Sequence, residues 1–461
     1  ENKFSTLFLP GIFARLNCYP YIEEIMKQID LLKSPVRKVF LNYLVPSVSA
    51  TLVTSIYILA DTMMIGRGIG AEGIAALNIL LPLYTAYYGF GMMCGIGSSV
   101  LFGFSRGRGK EQEARRYFTT ALLMAALFAI LSISLCSLLF TPLLDFLGVT
   151  DAMRPYAVPY GKVLVYASPC FVASTFLQAF VRNDGSPRLA MAGVISGGVT
   201  NVILDYIYIY LMDWGMGGAA LATATGTTLT VLILASHFFS PDNHLIPVRQ
   251  AELKKALEIL KNGLASFILE VSNGFVMLVF NLQLLAYVGD IGVVVYSIIS
   301  NISLVVISIS NGISQAVQPL LSANYGAGEK ERVCQGKSLG IRAALGAGCV
   351  FTAIGLLFPV PLSYLFLEPT EEILSMAVVA IRLYFLSFIA SDFNIMCGTC
   401  FQAVVKPGLS LMVTLLRGVV LNSILVFVLP VFLGVNGIWL AVTVSEFVTA
   451  VVAFWFLGRE K

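Results

Sequence analysis

Two aspartates, Asp61 and Asp205, lie inside long apolar runs of this sequence. A carboxylate at such a depth costs at least a few kcal/mol in hydrocarbon, so it is kept for a use and faces the interior of a bundle. Asn201 and Asp205 are four residues apart, which places them on one face of a helix. Thr223 adds a hydroxyl from the next apolar run. Two carboxylates, an amide and a hydroxyl make a set of hard oxygen ligands that suits a monovalent cation. Alternatively, two close carboxylates raise one another's proton affinity and share a proton. Either would give an electrochemical handle. The plainer reading has both aspartates only hydrogen-bonding neighbouring helices, which a neutral Asn would do at less cost. Glu270, near Asn273, is a candidate second relay or substrate anchor. Asp392 has Ser391 and Asn394 beside it, and those neighbours could satisfy it structurally. Tyr84, Tyr87, Tyr88, Met92 and Met93 form an aromatic and sulfur-bearing stretch. Such a surface takes flat lipophilic cations by cation–π contact and adaptable packing, although the same stripe also suits helix packing.

The elements that hold these residues must be membrane spans. Of 461 residues, 57% are hydrophobic and 12% charged, with a mean hydropathy of +0.85. A soluble domain carries roughly 25% charged residues. The apolar residues fall in blocks long enough for a hydrocarbon core of about 30 Å. These blocks predict twelve spans, at 40–66, 73–104, 117–146, 159–181, 188–212, 217–238, 262–286, 291–323, 338–366, 374–404, 408–433 and 436–457. The fold class is therefore an all-α polytopic membrane protein.

Lys and Arg concentrate in alternate loops, around Arg106 to Arg116, Arg182 and Arg188, Arg249 to Lys261, Lys330 to Arg342, and Lys406, and in the tails. The opposite loops are mostly acidic, with Asp145, Asp151, Asp213, Asp290 and Glu368. The positive-inside rule then places both termini in the cytoplasm and the chain in the inner (plasma) membrane. Trp214, Trp439 and Trp455 fall at predicted span ends, where interfacial tryptophans sit. No basic domain suggests nucleic acid. The net charge is only +3. Six of the eight cysteines lie in apolar blocks, as small packing residues. Cys397-Gly-Thr-Cys400 has metal-like spacing, but there is no second pair and the only histidines are His237 and His244. No structural metal, disulfide framework or cofactor is expected.

Shifted by about 220 residues, the chain matches itself. Gly70-Ala-Glu-Gly73 falls on Gly289-Asp-Ile-Gly292, Gln178-Ala179 on Gln402-Ala403, and Asn201-Val-Ile-Leu on Asn422-Ser-Ile-Leu. Two six-helix bundles in the same orientation follow, an architecture suited to rocking around a central path. The expected domains are an amino-terminal extension (1–32), interfacial or an upstream addition before Met26; a first lobe (33–238); a cytoplasmic linker (239–258); and a second lobe (259–461). The halves differ where the chemistry lies. Asp61 has Phe280 as its counterpart, Asp205 has Val426 and Thr223 has Val442, while Asn201 keeps Asn422.

From about residue 33 onward, the sequence resembles the multidrug and toxic compound extrusion (MATE) family. The stretches that carry the resemblance are Ile58-Leu-Ala-Asp61-Thr-Met-Met-Ile-Gly66, Phe180-Val-Arg-Asn-Asp-Gly-Ser-Pro187, Asn201-Val-Ile-Leu-Asp205-Tyr-Ile-Tyr-Ile209, Gly217-Gly-Ala-Ala-Leu-Ala-Thr223 and Gln318-Pro-Leu-Leu-Ser-Ala-Asn324-Tyr-Gly-Ala-Gly328. The pairing of Asp61 with Asp205 resembles the DinF-type and MepA-like branches. That resemblance implies Na⁺ or H⁺ binding in the first lobe at Asp61, Asn201, Asp205 and Thr223, with the backbone carbonyl of Ala219 joining. Glu270 is similar to a seventh-span acid of many bacterial members. Asp392 resembles a tenth-span acid of the NorM-type branch, but Phe388 stands where that branch often has Tyr. The family implies Na⁺- or H⁺-driven export of organic cations by alternating access, with membrane lipid as surroundings and no second subunit required, so a monomer is expected. A lipid-intermediate flippase of the same superfamily would want many arginines in a wide cavity, and few lie at span depth here. The loop Ser105-Arg-Gly-Arg-Gly-Lys110 weakly resembles a major-facilitator motif but lacks its preceding acid. A membrane-embedded enzyme would need a nucleophile–base pair, a metal cluster or a phosphate loop, and the sequence offers none. A non-transporting sensor would need a signalling domain.

Overall fold

A computed structural model describes residues 29–365 and 369–459. Most of the expected amino-terminal extension, together with Glu368 and Lys461, lies outside the described residues. Within them every regular element is helical. Eleven helices are long and apolar enough to cross a bilayer, and a bent pair makes a twelfth. The first six spans are α1 (Val36–Gly68), α2 (Ala71–Gly107), α3 (Glu111–Leu138), α4 (Arg154–Tyr166 and Ser168–Asn183), α5 (Pro187–Leu211) and α6 (Gly215–Phe239). The second six are α7 (Leu253–Val288), α8 (Asp290–Ala327), α9 (Lys330–Leu357), α10 (Glu371–Ala403), α11 (Pro407–Leu433) and α12 (Val435–Arg459). The expected twelve-span fold is present.

Local chemistry sets the breaks. Pro187 and Pro407 open α5 and α11, where a missing N–H costs nothing. Between α7 and α8 the chain reverses at a single residue, Gly289, with φ of 71°. An L side chain rarely adopts that backbone angle. The two parts of α4 meet at 52° around Ala167, just before Pro169, whose ring cannot continue the preceding hydrogen-bond ladder. The ladders of α5 and α11 both widen into a π turn, at Tyr206–Leu211 and Leu416–Val420.

The repeat is visible in the packing. In the first half α1 lies on α5, α2 on α3 and α4, and α6 on α4 and α5. In the second half α7 lies on α11, α8 on α9 and α10, and α12 on α10 and α11. Each lobe has its own apolar cluster, around Phe118, Phe176 and Phe180 in the first and Phe280, Phe385 and Trp439 in the second. Trp214 and Trp455 are about half exposed, as expected of interfacial rings, but Trp439 is fully buried. Trp439 is a core residue because its helix turns that face onto the second-lobe cluster, not toward a headgroup region.

The lobes meet through α2 against α7 and α1 against α8, contacts that exchange under the pseudo-twofold. A third apolar cluster joins Val39, Phe40 and Tyr43 of α1 to Leu320 and Leu321 of α8. The closest approaches are backbone to backbone. A Cβ on Gly97 would meet Ile259 O at 2.6 Å, and one on Gly263 would overlap Met93 O. Further along, Gly107 lies against Ala323 and Gly326 against Phe104. All four glycines sit toward the end of the bundle that carries the basic loops. Contact there continues to mid-span, where Gly89 faces Phe267 and Glu270 and Ser55 bonds Ser308. The structure therefore clasps its lobes together from the basic end to the middle.

Candidate functional site

The first-lobe candidates come from three helices, and packing brings them together. Asp61 is nearly four-fifths of the way along α1, Asn201 and Asp205 lie on α5 just before its π turn, and Thr223 is on α6. A π turn shifts the register of the side chains that follow it, and such turns recur at functional sites. Asp205 is fully buried. Its carboxyl group lies within hydrogen-bonding reach of the Asp61 carboxyl group. Asn201 Nδ2 donates to Thr223 Oγ1 at 3.3 Å, and Thr223 Oγ1 donates to Ala219 O at 3.2 Å.

These bonds leave a one-sided remainder. Asp61 Oδ1, both Asp205 carboxylate oxygens and Asn201 Oδ1 are buried without a hydrogen-bond donor among the described residues. Two buried carboxylates this close cannot both stay ionised and bare, because like charges in a low dielectric repel and an unpaired buried charge is costly. A proton shared between the aspartates, or a small cation ligated by them and the amide, would resolve the imbalance. Within the described residues no three His, Cys, Asp or Glu side chains converge as a metal cluster would need.

A cavity of about 510 Å³ opens beside this group. Asn201 and Thr223 form part of its wall, and Tyr57, Tyr84, Tyr88 and Phe171 form another part. Tyr84 and Tyr88 are one helical turn apart and stack at 6.0 Å between ring centroids. The other residues of the α2 stretch go elsewhere. Tyr87 is buried and turns to α3, with its hydroxyl 3.8 Å from Cys136 Sγ. Met93 packs at the clasp against Gly263, and Met92 borders a second cavity whose wall is otherwise built almost wholly by the second lobe.

The counterparts in the second lobe behave as their apolar side chains dictate. Phe280, Val426 and Val442 are buried in one cluster. Glu270 lies on α7 opposite Gly89 of α2, 3.5 Å from where a Cβ would stand there, while Asn273 is exposed. Asp392 is buried and accepts from Ser310 Oγ at 2.5 Å, with Oδ2 lacking a partner among the described residues. Ser391 and Asn394 do not satisfy Asp392. They turn instead to an ion pair that the sequence reading passed over, between Arg417 in the π turn of α11 and Glu446 of α12. Arg417 Nη2 reaches Glu446 Oε1 at 2.7 Å and Ser391 Oγ at 2.7 Å, and Arg417 Nε contacts both Glu446 oxygens at 3.1 Å. Asn394 Nδ2 donates to Glu446 Oε2 at 2.7 Å. Charge within an apolar run, the signal that singled out Asp61, marks these two residues as well.

The two histidines also converge. Asp184, buried at the end of α4, accepts from Arg106 Nη1 at 2.7 Å, from His237 Nε2 at 2.9 Å, and from the ring and backbone N–H of His244 at 3.1 and 2.9 Å. Burial pushes the Asp184 carboxyl up, but the hydrogen bonds from His237 and His244 and the Arg106 charge outweigh it and hold Asp184 below the usual carboxylate value. The cluster fastens the start of the linker to the first lobe. Cys397 and Cys400 are buried, and Cys400 Sγ lies 3.8 Å from Met396 Sδ.

Comparison with known proteins follows the same outline. The MatE family model matches residues 46–207 and 264–428, one stretch in each half. Multidrug export protein MepA of Staphylococcus aureus (strain NCTC 8325 / PS 47) is 25% identical over 448 residues, covering 93% of this chain and 95% of its own. Multidrug export protein MepA of Staphylococcus saprophyticus is 24% identical over 439 residues, with the same coverage. Among solved structures, an outward-facing multidrug resistance MATE family transporter of the MOP superfamily superposes with a TM-score of 0.88 at 23% identity, covering 94% of this chain and 97% of that one. A MOP superfamily transporter from Pyrococcus furiosus Vc1 (DSM3638) superposes with a TM-score of 0.86 at 22% identity, covering 94% and 98%. At these identities the structural likeness speaks for the fold.

Proposed function

The chain belongs to the MatE family, and from that membership we propose that it is an antiporter that expels lipophilic organic cations in exchange for Na⁺ or H⁺. The observation that carries this reading is the buried group of Asp61, Asp205 and Asn201, of which Asn201 also lines an aromatic cavity. Loading a small positive charge between the aspartates removes their repulsion and draws α1 and α5 together. Unloading restores it. Asn201 and Thr223 belong both to that group and to the cavity wall, so the ion and the organic cation act on the same helices. Tyr84 and Tyr88 present ring faces to a flat cation. A Na⁺ ion would take its ligands from Asp61, Asn201, Asp205, Thr223 and the Ala219 carbonyl; a proton would need only the two carboxylates.

Alternating access requires two end states. The clasp from the basic end to mid-span describes one of them. With the basic loops and both termini on the cytoplasmic side of the cell membrane, this state is closed inward. Both lobes belong to one chain, so the transport path is complete in a monomer. The multidrug export function of the MepA relatives supports the direction of transport.

The test is reconstitution in liposomes with Na⁺ and H⁺ gradients imposed separately. One gradient should drive accumulation of a fluorescent lipophilic cation such as ethidium. Absence of dye movement under both gradients would end the reading.

A further inference from the structure

Arg182, near the end of α4, is only 3% exposed. Its Nη1 donates to Gln315 Oε1 of α8 at 2.6 Å, so the side chain crosses from the first lobe to the second. Its Nε is buried without an acceptor among the described residues. Arg182 forms no ion pair with them, and the titratable groups that act on it are the hydroxyls of Tyr43 and Tyr88. The carboxylate closest in sequence, Asp184, is committed to Arg106, His237 and His244. A guanidinium keeps its proton at neutral pH, so Arg182 holds a positive charge in the interior without a carboxylate to balance it. Such a charge is costly. A neutral Gln would bond Gln315 at less cost, so the charge is kept for a use.

The place of Arg182 in the fold bears on that use. Gln178, one helical turn before it, lines the aromatic cavity of the first lobe, as does Tyr88. Gln315, its partner, lines the second cavity. Toward the basic end the clasp begins: a Cβ on Gly103 would meet Ser322 Oγ, Gly107 lies against Ala323, and Gly326 lies against Phe104. The guanidinium thus stands where the cavities end and the clasp starts. Small residues packed backbone to backbone exclude a bulky organic cation. A Na⁺ ion, or a proton on a chain of waters, is far smaller, and packing alone stops it less well. A fixed positive charge at a constriction repels small cations whatever the fit, and the low dielectric around it strengthens the repulsion.

We propose that Arg182 is the charge barrier of the closed path: it keeps small cations in the cavities from leaking through the clasp to the basic end. The inference goes beyond the antiport reading and rests on it for the existence of a path. When the lobes part at the basic end, the bond to Gln315 breaks and water takes its place around the guanidinium. The barrier is then lifted together with the clasp, so selectivity against small cations comes with closure and leaves with it.

Passive Na⁺ entry into proteoliposomes, with no organic cation present, reads the barrier directly. Arg182→Gln removes the charge and keeps a donor for Gln315; the leak should rise at least about tenfold over the parent, equivalent to about 1.4 kcal/mol of barrier. Arg182→Lys keeps the charge, and Gln315→Leu breaks the bond but leaves the charge; both should stay within about threefold of the parent. Arg182→His makes the charge adjustable in one folded protein: its leak relative to the parent should climb between about pH 5 and about pH 8, as the imidazole loses its proton. A leak in Arg182→Gln no larger than the parent's would overturn the proposal. So would an equal leak in Arg182→Lys or Gln315→Leu, because shape or the bond would then be the seal. If Arg182→Gln fails to fold, Arg182→His decides, and a leak at the parent's level at the upper end of that pH range would sink the idea. Should the parent move no dye under either gradient while the leaks follow the charge, the antiport reading falls and the barrier stands. Dye export with no charge-dependent leak has the opposite meaning.

Discussion

Replacing Asp205 with Asn separates an ion site from a structural hydrogen bond, because the two readings predict opposite signs. The side chain keeps its shape and loses one negative charge. A cation ligated at about 3 Å feels an attraction of about 5 kcal/mol from that charge at an effective dielectric of about 20. Every 1.4 kcal/mol is tenfold, so cation affinity should fall by roughly a thousandfold. Gradient-driven dye efflux in liposomes should be lost. Stability moves the other way. The new NH₂ group can donate to Asp61, whose Oδ1 is buried without a partner among the described residues. A hydrogen bond to a charged group contributes about 1.5–3 kcal/mol, and one like-charge contact disappears. The purified variant should therefore unfold at the same or a higher denaturant concentration than the parent. A variant that keeps gradient-driven efflux within twofold, or that loses several kcal/mol of stability, would refute the argument: in either case Asp205 would be holding helices together.

Three more outcomes follow from the geometry. The Arg417–Glu446 pair is almost fully buried, and breaking such a pair from one side costs about 3–5 kcal/mol. Arg417→Met and Glu446→Gln should each destabilise by that amount in denaturant titrations, and the double variant should cost clearly less than the sum of the two. The Asp184 contact holds the His244 imidazole above its ordinary value of 6.5, against the opposing effect of burial. A raised histidine contributes stability that is complete below 6.5 and is lost as pH rises through the folded value, whereas the lowered Asp184 contributes above its ordinary carboxylate value and fails only in acid. Protection factors for hydrogen exchange in residues 240–252, with the base-catalysed intrinsic rate divided out, should accordingly fall as pH rises above 6.5, and His244→Ala should remove that fall. Finally, Gly263→Val sets a branched side chain against the Met93 backbone, so spin labels at the basic ends of α2 and α7 should move apart; an unchanged distance distribution would show that the clasp tolerates the bulk.

The fold was legible because the bilayer demands long uncharged runs, and these runs fix twelve spans with little ambiguity. The bend in α4 was not, since Pro169 falls inside a run that reads as one span. Trp439 misleads for a related reason: nearness to a span end in sequence does not decide which way an indole points, and here the packing of its helix on the second-lobe cluster decides it. In the site, spacing gave the shared face of Asn201 and Asp205, whereas the meeting of α1 with α5 that brings Asp61 alongside is a tertiary fact. Tyr84 and Tyr88 share a helix face by their separation of four, and Tyr87 is turned about 100° from the latter, as a period of 3.6 residues requires. Arg417 and Glu446 stand opposite uncharged first-lobe positions, so the charged positions of the first lobe do not point to them. At the offsets that pair Asn201 with Asn422 and Thr223 with Val442, Arg417 pairs with Ser196 and Glu446 with Thr227. Asymmetry therefore runs both ways.

That two-way asymmetry bears on which lobe can be driven by an ion. The two bundles share one plan, and each carries buried charge at positions where the other has none. In the second lobe the Glu446 carboxylate faces the Arg417 guanidinium at 2.7 Å, so that pair is balanced from within and needs no small cation, although Asp392 nearby keeps an unpartnered Oδ2 among the described residues. The ion pair stays satisfied in every conformation that keeps α11 against α12. In the first lobe two carboxylates face each other with no internal cation, so balance must come from outside and can be withdrawn again. Only the second arrangement makes the shape of a lobe depend on a gradient. An ion pair fixes a wall; a pair of like charges makes a switch. On the proposed antiport reading, a gradient would therefore act on the first lobe, while the Arg417–Glu446 pair would hold its part of the second lobe fixed.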